Sequence, residues 1–230
     1  MADSRVFVIT GASSGIGAAT AVEASCRGHR LVLASRREEA LEEVASRCEG
    51  ETLTVPVDVT SWEQNERLAE AALERFGAID IVFANAGFGA SRSFSREGDS
   101  PEHWREMVLT NVLGAAYTVR ATFDAVRESR GHFLLTGSVA GRVAIPGSLY
   151  SSTKWAVAGM GQSLRAELAG TGVRVTVIAP GMVDTPFFDR KPAEGILVDE
   201  DIAGAVLWTV SQPERVDVNE ILVRPTAQAM

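Results

Sequence analysis

The stretch Val6-Phe7-Val8-Ile9-Thr10-Gly11-Ala12-Ser13-Ser14-Gly15-Ile16-Gly17 joins an apolar, β-branched run to a glycine-rich loop. The run predicts a buried strand, and the residues after the loop predict a helix. Glycines here permit a tight turn and let a phosphate approach the backbone and the helix N-terminal N–H groups. An ordinary strand-to-helix turn is the alternative. The position of the loop between strand and helix favours a dinucleotide, which we expect to contact Gly11, Ser13, Ser14, Gly15, Ile16 and Gly17.

Short β-branched runs alternate with amphipathic stretches along the rest of the chain. The predicted strands are Val6–Thr10, Leu31–Ser35, Thr52–Val55, Ile79–Ala84, His132–Thr136, Val173–Ile178 and Glu220–Val223. The predicted helices are Gly15–Arg27, Glu38–Cys48, Trp62–Phe76, Glu102–Arg127, Leu149–Ala169 and Glu200–Thr209. Strict alternation predicts an α/β fold, a single Rossmann-like doubly wound sheet of about seven parallel strands with helices on both faces. No repeat or linker divides the sequence, so residues 1–230 are expected to form one domain.

Composition excludes several classes of protein. With 46% apolar residues among 230, the chain can bury a large core, and its net charge of −8 argues against a nucleic-acid surface. No apolar run reaches the ~18 residues of a membrane helix. A strand-like run begins by Arg5, which leaves no room for an export signal, so a cytoplasmic location is expected. Cys26 and Cys48 lack ligand spacing with each other or with a histidine, which predicts thiols and no metal site.

The end of the second predicted strand carries Ser35-Arg36-Arg37, where an NAD-binding chain usually has Asp or Glu. Guanidinium groups pair with a 2′-phosphate, so Arg36 and Arg37 favour NADP(H) over NAD(H). The alternative is that both arginines only solvate the start of the next helix.

Two further strand ends face the same edge of the predicted sheet. Asp58-Val59 follows the third strand, where the Asp58 carboxylate lies near the expected adenine amine or serves as a helix N-cap. Asn85-Ala86-Gly87 follows the fourth strand and predicts a second close approach of the nucleotide to the backbone.

Tyr150 and Lys154 stand four residues apart at the start of a predicted helix, which places both side chains on one face. An ammonium ~4 Å from a phenol stabilises the phenolate by up to ~4 kcal/mol at an effective dielectric constant of about 20. This pair therefore predicts a Tyr150 pKa close to neutrality.

Two polar residues elsewhere complete the candidate catalytic group. Ser138 follows the fifth strand and is expected to bind the same substrate oxygen as Tyr150. Asn111 lies within the long fourth helix, where its amide needs partners, and a water relay to Lys154 would supply one. A solvated amide on the helix surface is the alternative for Asn111.

These motifs together resemble the short-chain dehydrogenase/reductase family, in order and over nearly the full length. The resemblance implies hydride transfer between a nicotinamide and a carbonyl or alcohol carbon. It implies that Tyr150 is the general acid/base and that Lys154 lowers its pKa and holds the nicotinamide ribose. Ser138 would orient the substrate oxygen and Asn111 would anchor the proton-relay water. The residues that carry the resemblance are Thr10–Gly17, Asp58, Asn85–Gly87, Asn111, Ser138, Tyr150–Lys154 and Pro180–Gly181.

The resemblance also implies that Pro180, Gly181, Val183 and Thr185 line the nicotinamide face, and Ser35-Arg36 is similar to the NADP-preferring members. Two departures stand out. Ala84 replaces the first Asn of the usual family motif, and Ser138 and Tyr150 are one residue closer than is commonest. The short segment after Thr185 predicts an open or small-substrate pocket.

The tail from Val218 to Gln228 resembles a branch that includes 3-hydroxy acid dehydrogenases, whose members are tetramers or dimers. A homotetramer or homodimer is therefore expected. Loop cations are candidates for binding a substrate carboxylate, with plain solvation as the alternative, and nearby aromatic rings either line the pocket or pack. The cations are Arg142, Arg190 and Lys191, and the rings are Phe88, Phe187 and Phe188.

The sequence thus predicts an NADP(H)-dependent oxidoreductase that acts on a small alcohol, carbonyl compound or 3-hydroxy acid. One alternative is a catalytically silent nucleotide-binding regulatory protein of the same fold. Another is an enzyme that uses the same residues for epimerisation or dehydration, without net consumption of the cofactor.

Overall fold

The structure is a computed structural model that describes residues 4–91, 93–187 and 195–228. Its main sheet has seven parallel strands in the order β3-β2-β1-β4-β5-β6-β9. These are β1 (Val6–Thr10), β2 (Arg30–Ser35), β3 (Thr52–Pro56), β4 (Ile81–Ala84), β5 (His132–Thr136), β6 (Arg174–Pro180) and β9 (Glu220–Val223). The predicted doubly wound fold is confirmed.

Helices follow the strands in the predicted order. They are α1 (Gly15–Cys26), α2 (Glu38–Ala45), α3 (Trp62–Phe76), α4 (Pro101–Val108), α5 (Ala115–Glu128), α6 (Leu149–Glu167) and α7 (Asp199–Val210). No helix among the described residues is long and apolar enough to cross a membrane.

Successive side chains of the buried strands pack alternately into two separate hydrophobic cores, one on each face of the sheet. In β1, Val6 and Val8 pack with α3, α5 and α6, whereas Phe7 and Ile9 pack with α1, α2 and α7. All four side chains are wholly buried. Because successive strand residues point to opposite faces, a strand covered on both sides must be apolar throughout, as this one is.

The predicted fourth helix is interrupted. A π-helical segment, Leu109–Gly114, separates α4 from α5, and Asn111 lies within it. Such wide turns occur often at functional sites, and apolar periodicity gives no signal for them.

A short parallel pair that was not predicted follows β6. It joins β7 (Val183–Asp184) to β8 (Leu197–Val198). Two-residue strands are too short to leave an alternating pattern in the sequence, and this pair sets the position of the chain that leaves the sheet after Pro180.

β1 and β4 pair directly with each other near the centre of the sheet, and the strand order reverses between them. Chain segments leave the neighbouring strands in opposite directions at such a point and open a crevice at their carboxyl ends. The crevice here lies above Thr10 and Ala84.

Candidate active site

A cleft of about 1030 Å³ runs along the carboxyl ends of the strands. Nearly every predicted site residue lines it. These are Gly11, Ser13, Ser14, Gly15, Ile16, Arg36, Arg37, Asp58, Val59, Asn85, Ala86, Gly87, Ser138, Tyr150, Lys154, Pro180, Gly181, Val183 and Thr185. Gly17 and Asn111 do not line it and lie buried behind its wall.

The glycine loop takes the conformation that its sequence predicts. Gly11 and Gly15 have φ values of +65° and +52°, a region that favours glycine. A Cβ at Gly17 would collide with the carbonyl oxygen of Gly11. The start of α1 is uncapped, because the Ser14 side chain makes no capping hydrogen bond and the first turn holds no acidic residue. Its N–H groups are therefore left for an anion in the cleft.

Two arginines border the cleft at the end of β2. Arg37 directly precedes α2, and its Nη2 donates to Ser13 Oγ at 3.2 Å, which ties this strand end to the glycine loop. Arg36 is exposed beside it. Positive charge at the beginning of a helix is unfavourable by itself, so the position of both guanidinium groups in the cleft wall suits an anionic ligand.

Asp58 is not a helix cap. Its Oδ1 accepts hydrogen bonds from Thr60 N at 2.9 Å and Thr60 Oγ1 at 2.7 Å, which form a turn before α3. Ser61 caps the helix instead, by accepting from Gln64 N. The N-cap alternative is therefore wrong for Asp58.

Asn85 binds the ends of the central strands together. Its Nδ2 donates to Thr10 O at 3.1 Å and to Gly11 O at 3.4 Å, and its Oδ1 accepts from Thr136 Oγ1 at 3.0 Å. The side chain is thus engaged within the protein, while the backbone that follows, Ala86 and Gly87, lines the cleft.

Tyr150 and Lys154 lie in the first turns of α6, whose start is capped by Ser148. The Ser138 hydroxyl donates to Pro180 O at 3.4 Å and accepts from Ala140 N at 3.1 Å, and it lies close enough to Tyr150 to lower the pKa of that phenol. Lys154 Nζ donates to the carbonyl oxygen of Thr136 at 2.8 Å and lies 5.6 Å from the centre of the Tyr150 ring.

Burial dominates the protonation of both groups. It raises the pKa of Tyr150 to about 12, against the smaller lowering effect of the Ser138 hydrogen bond. It lowers the pKa of Lys154 to about 8. The predicted Tyr150 pKa near neutrality is therefore wrong for this structure. Burial removes water from the Tyr150 phenolate and from the Lys154 ammonium, which disfavours both charged forms. The ammonium donates to the Thr136 carbonyl rather than to the phenol oxygen.

Asn111 is buried, with 2% of its surface exposed, so the alternative of a solvated amide is wrong. Its Oδ1 accepts from Phe88 N at 3.0 Å, and its Nδ2 donates to Phe88 O at 2.9 Å and Thr153 Oγ1 at 3.2 Å. Protein groups thus satisfy the amide for which a water relay was predicted. Thr153 Oγ1 donates in turn to Tyr150 O at 2.7 Å, which connects Asn111 to the turn of α6 that carries Tyr150.

Phe187 packs against Tyr150 at the end of the cleft. The two rings meet edge to face, with their centres 5.3 Å apart. A Cβ at Gly89 would lie 2.7 Å from the Phe187 ring, so Gly89 is what allows this approach. Phe187 therefore lines the pocket, as one of its two interpretations predicted.

Arg142 does not face the cleft. Its Nε and Nη2 donate to the two carboxylate oxygens of Glu220, each at 2.6 Å. A guanidinium held in this bidentate pair is not available to a substrate carboxylate. The prediction that Arg142 binds a substrate carboxylate is therefore wrong. Arg190, Lys191 and Phe188 lie outside the described residues.

Sequence reasoning missed Thr136, Thr153 and Gln228. Thr136 ends β5 beside Ser138, and Thr153 lies between Tyr150 and Lys154, so their positions alone signalled proximity to the site. Gln228 lines the cleft from far along the chain, and no local pattern marks it.

Proteins of known family resemble this chain over its whole length. The sequence model described as short chain dehydrogenase matches residues 5–194. An uncharacterized oxidoreductase of Staphylococcus saprophyticus is 42% identical, over 96% of this chain and 97% of that protein. The structure of an alcohol dehydrogenase from Thermococcus sibiricus, complexed with 5-hydroxy-NADP, has a TM-score of 0.92 at 34% identity and covers 99% of both chains.

A second solved structure extends the comparison. A 3-ketoacyl-(acyl-carrier-protein) reductase from Brucella melitensis, complexed with NADH, has a TM-score of 0.88 at 28% identity over 96% of this chain and 97% of that one. The sequence identity, the coverage and the shared fold agree with one another. The chain therefore belongs to the short-chain dehydrogenase family of oxidoreductases.

Proposed function

We propose that this protein is an NADP(H)-dependent oxidoreductase that transfers a hydride between nicotinamide and a small alcohol or carbonyl compound, 3-hydroxy acids included. One observation carries the proposal. A single cleft holds an uncapped helix N-terminus over a glycine loop, two arginines at one end, and the Tyr150–Ser138 hydroxyl pair beside a buried lysine at the other.

The residues of the cleft fit a nicotinamide dinucleotide. The glycine loop and the start of α1 would hold its pyrophosphate, and Arg36 and Arg37 would hold a 2′-phosphate. Asp58 and Val59 would border the adenine. The similar proteins carry 5-hydroxy-NADP in one structure and NADH in the other, which supports a nicotinamide cofactor of either kind. The arginines favour NADP(H).

Two further groups of residues would complete the nucleotide site. The backbone of Asn85, Ala86 and Gly87 would pass beneath the ribose at the centre of the sheet. The nicotinamide would lie against residues after β6, namely Pro180, Gly181, Val183 and Thr185.

The bound nicotinamide would supply or accept the hydride, and the protein would handle the proton. Ser138 and Tyr150 line the same part of the cleft and interact with each other, so both hydroxyls can bind one carbonyl oxygen of the substrate. With a pKa raised to about 12, Tyr150 keeps its proton at neutral pH and can donate it as the oxygen becomes an alkoxide. The Lys154 ammonium favours the resulting phenolate, and Asn111 positions this turn of α6 through Thr153.

The Tyr150→Phe variant tests the catalytic assignment. NADPH oxidation is followed by absorbance with a panel of small ketones, aldehydes and keto acids, and NADP⁺ reduction with the matching alcohols. We expect kcat to fall by about 100- to 10,000-fold with little change in NADPH affinity, because only the proton donor is removed. A variant as active as the wild type would refute the role of Tyr150. A wild type that binds nucleotide but converts nothing would favour the silent regulatory protein.

A double variant, Arg36→Asp with Arg37→Ala, tests the choice of cofactor. We expect the affinity for NADPH to fall by about 10- to 100-fold and the affinity for NADH to change little, because only NADPH carries the 2′-phosphate. Arg67→Asp with Arg127→Ala, at exposed sites on α3 and α5, is the control for the same change of net charge. Equal weakening of both nucleotides would contradict the assignment.

We further propose that residues 1–230 act as one domain in a cytoplasmic homodimer or homotetramer. The exposed indoles of Trp155 on α6 and Trp208 on α7, 49% and 52% accessible, support association between copies of the chain. Light scattering coupled to size-exclusion chromatography measures the assembly, and a monomer at micromolar concentration would contradict it.

A further inference from the structure

The carboxy-terminal tail folds back onto the residues that follow β6. Gly181 N donates to Val223 O at 2.7 Å, and Gln228 N donates to Pro225 O at 3.0 Å, which closes a turn after β9. A Cβ at Gly181 would collide with Gln228 Oε1, so the glycine permits this close approach. The tail brings Gln228 into the wall of the cleft that holds Tyr150.

One hydrogen bond fixes the orientation of the Gln228 carboxamide. Met182 N lies 3.0 Å from its Oε1. A backbone N–H can only donate, so the oxygen of the carboxamide must face Met182. The NH₂ group, with two donors, makes no hydrogen bond within the part of the chain that the structure describes, and Gln228 as a whole is half-buried. It is therefore the part of Gln228 that remains available to the cleft.

The cleft wall combines apolar side chains with polar ones that include His103, Glu106 and Ser148. Phe187 packs on the Tyr150 ring, and Ile145 and Met182 also line the cleft. The hydroxyls of Tyr150 and Ser138 are already assigned to the reacting oxygen. Where a bound ligand shields it from water, an amide donor discriminates for a ligand that carries a matching acceptor, because a ligand without one leaves the donor unpaired.

We propose that Gln228 is a substrate-binding residue whose NH₂ group donates to a second acceptor oxygen of the substrate. The substrate class is then a dicarbonyl compound or keto acid, together with the corresponding hydroxy product, rather than a simple ketone. This inference rests on the proposed carbonyl reduction and makes it more specific. A second oxygen in the substrate is held by Gln228 while the reacting oxygen faces Tyr150 and Ser138.

Three matched carbonyl compounds test the proposal with NADPH. They are butanone, which has one carbonyl, diacetyl, which adds a neutral keto oxygen, and acetoacetate, which adds a carboxylate. Wild type should show a kcat/KM for diacetyl or acetoacetate at least about tenfold above that for butanone. The compound whose kcat/KM falls more in Gln228→Met, which removes the donor without adding charge, identifies which second oxygen Gln228 binds.

Gln228→Glu separates recognition from support of the fold. Glutamate keeps an acceptor for Met182 N but has no NH₂ donor. We expect kcat/KM for diacetyl to fall by about tenfold and for acetoacetate to fall further through charge repulsion, with butanone turnover and NADPH affinity within about twofold of wild type. Gln228→Met, which lacks both groups, should lose diacetyl selectivity to at least the same extent.

Gln212→Glu is the matched control, because its carboxamide is exposed and its Nε2 donates to Trp208 O at 2.9 Å outside the cleft. This variant should keep the wild-type preference. If Gln228→Glu lowers kcat/KM for all three compounds equally, the assignment of Gln228 is overturned and the proposed function stands. If the wild type reduces none of the three, the proposed reduction of small carbonyls fails, and this inference fails with it.

Discussion

Lys154 gives the sharpest physical prediction, because burial alone sets its protonation. Only 4% of its surface is exposed, and among the described residues its ammonium makes one hydrogen bond, to Thr136 O. Burial lowers its pKa from the ordinary 10.5 to about 8, which at about 1.4 kcal/mol for each pKa unit costs the charged form about 3 kcal/mol in the folded state. We therefore expect Lys154→Met to remove a destabilising charge, which is also the ammonium proposed to favour the Tyr150 phenolate.

The sign of the pH dependence follows from which state binds the proton. Between about pH 8 and 10.5 the unfolded chain keeps the Lys154 proton and the folded protein releases it. The folded state of the wild type therefore gains stability as pH rises through this range. The carbonyl left unpaired in Lys154→Met costs the same at every pH, so it cancels in the comparison between two pH values.

Urea unfolding of wild type and Lys154→Met at about pH 7 and about pH 9.5 measures the effect. We expect the free energy of unfolding of the wild type to rise by about 2 kcal/mol relative to the variant between these values. The range stays below pH 10, where tyrosines of the unfolded chain begin to ionise. Arg127→Met, which removes an exposed cation, is the control and should track the wild type. Parallel curves for wild type and Lys154→Met would refute the view that burial controls Lys154.

Two further predictions concern the sheet. His132 is wholly buried, and burial lowers its pKa well below the usual 6.5, so the unfolded chain takes up a proton below about pH 6.5 that the folded chain excludes. Wild type should lose stability between about pH 7 and pH 5 in urea unfolding, and His132→Gln should lose less; an equal loss would contradict this. Asn85→Ala should lower the free energy of unfolding by about 2 kcal/mol or more and weaken NADPH binding, because it leaves groups at the ends of β1 and β5 without their partner. The exposed Asn219→Ala should cost under about 0.5 kcal/mol in the same assays, and similar losses in both variants would argue against the role of Asn85.

Strand positions were predictable because the central strands, covered on both faces, are apolar almost throughout, and the partly exposed edge strands β3 and β9 still carry short β-branched or apolar runs. The observed strand boundaries differ from the predicted ones where tertiary contacts override this pattern. β6 begins at Arg174, a charged residue, because its buried guanidinium donates to the carbonyls of Thr209, Val210 and Gln212 at the end of α7. No feature of the sequence near Arg174 predicts that its guanidinium binds these three carbonyl groups.

Asn111 shows the same limit within a helix. Apolar spacing predicted one continuous helix around it, but the chain forms a wide turn there and its carboxamide pairs with the backbone of Phe88. The spacing of apolar residues reports which face is buried, and it is insensitive to one extra residue in a turn.

The sequence by itself determined the fold class, the glycine loop and the placement of Tyr150 and Lys154 on one helical face. These features depend on periodicity and short spacings, which act between residues close together in the chain. The tertiary structure alone decided the opposed pKa changes of Tyr150 and Lys154, the pairing of Arg142 with Glu220, and the arrival of Gln228 at the cleft. Desolvation of a side chain and contacts between distant segments arise only when the whole chain packs. They cannot be predicted from the spacing of neighbouring residues.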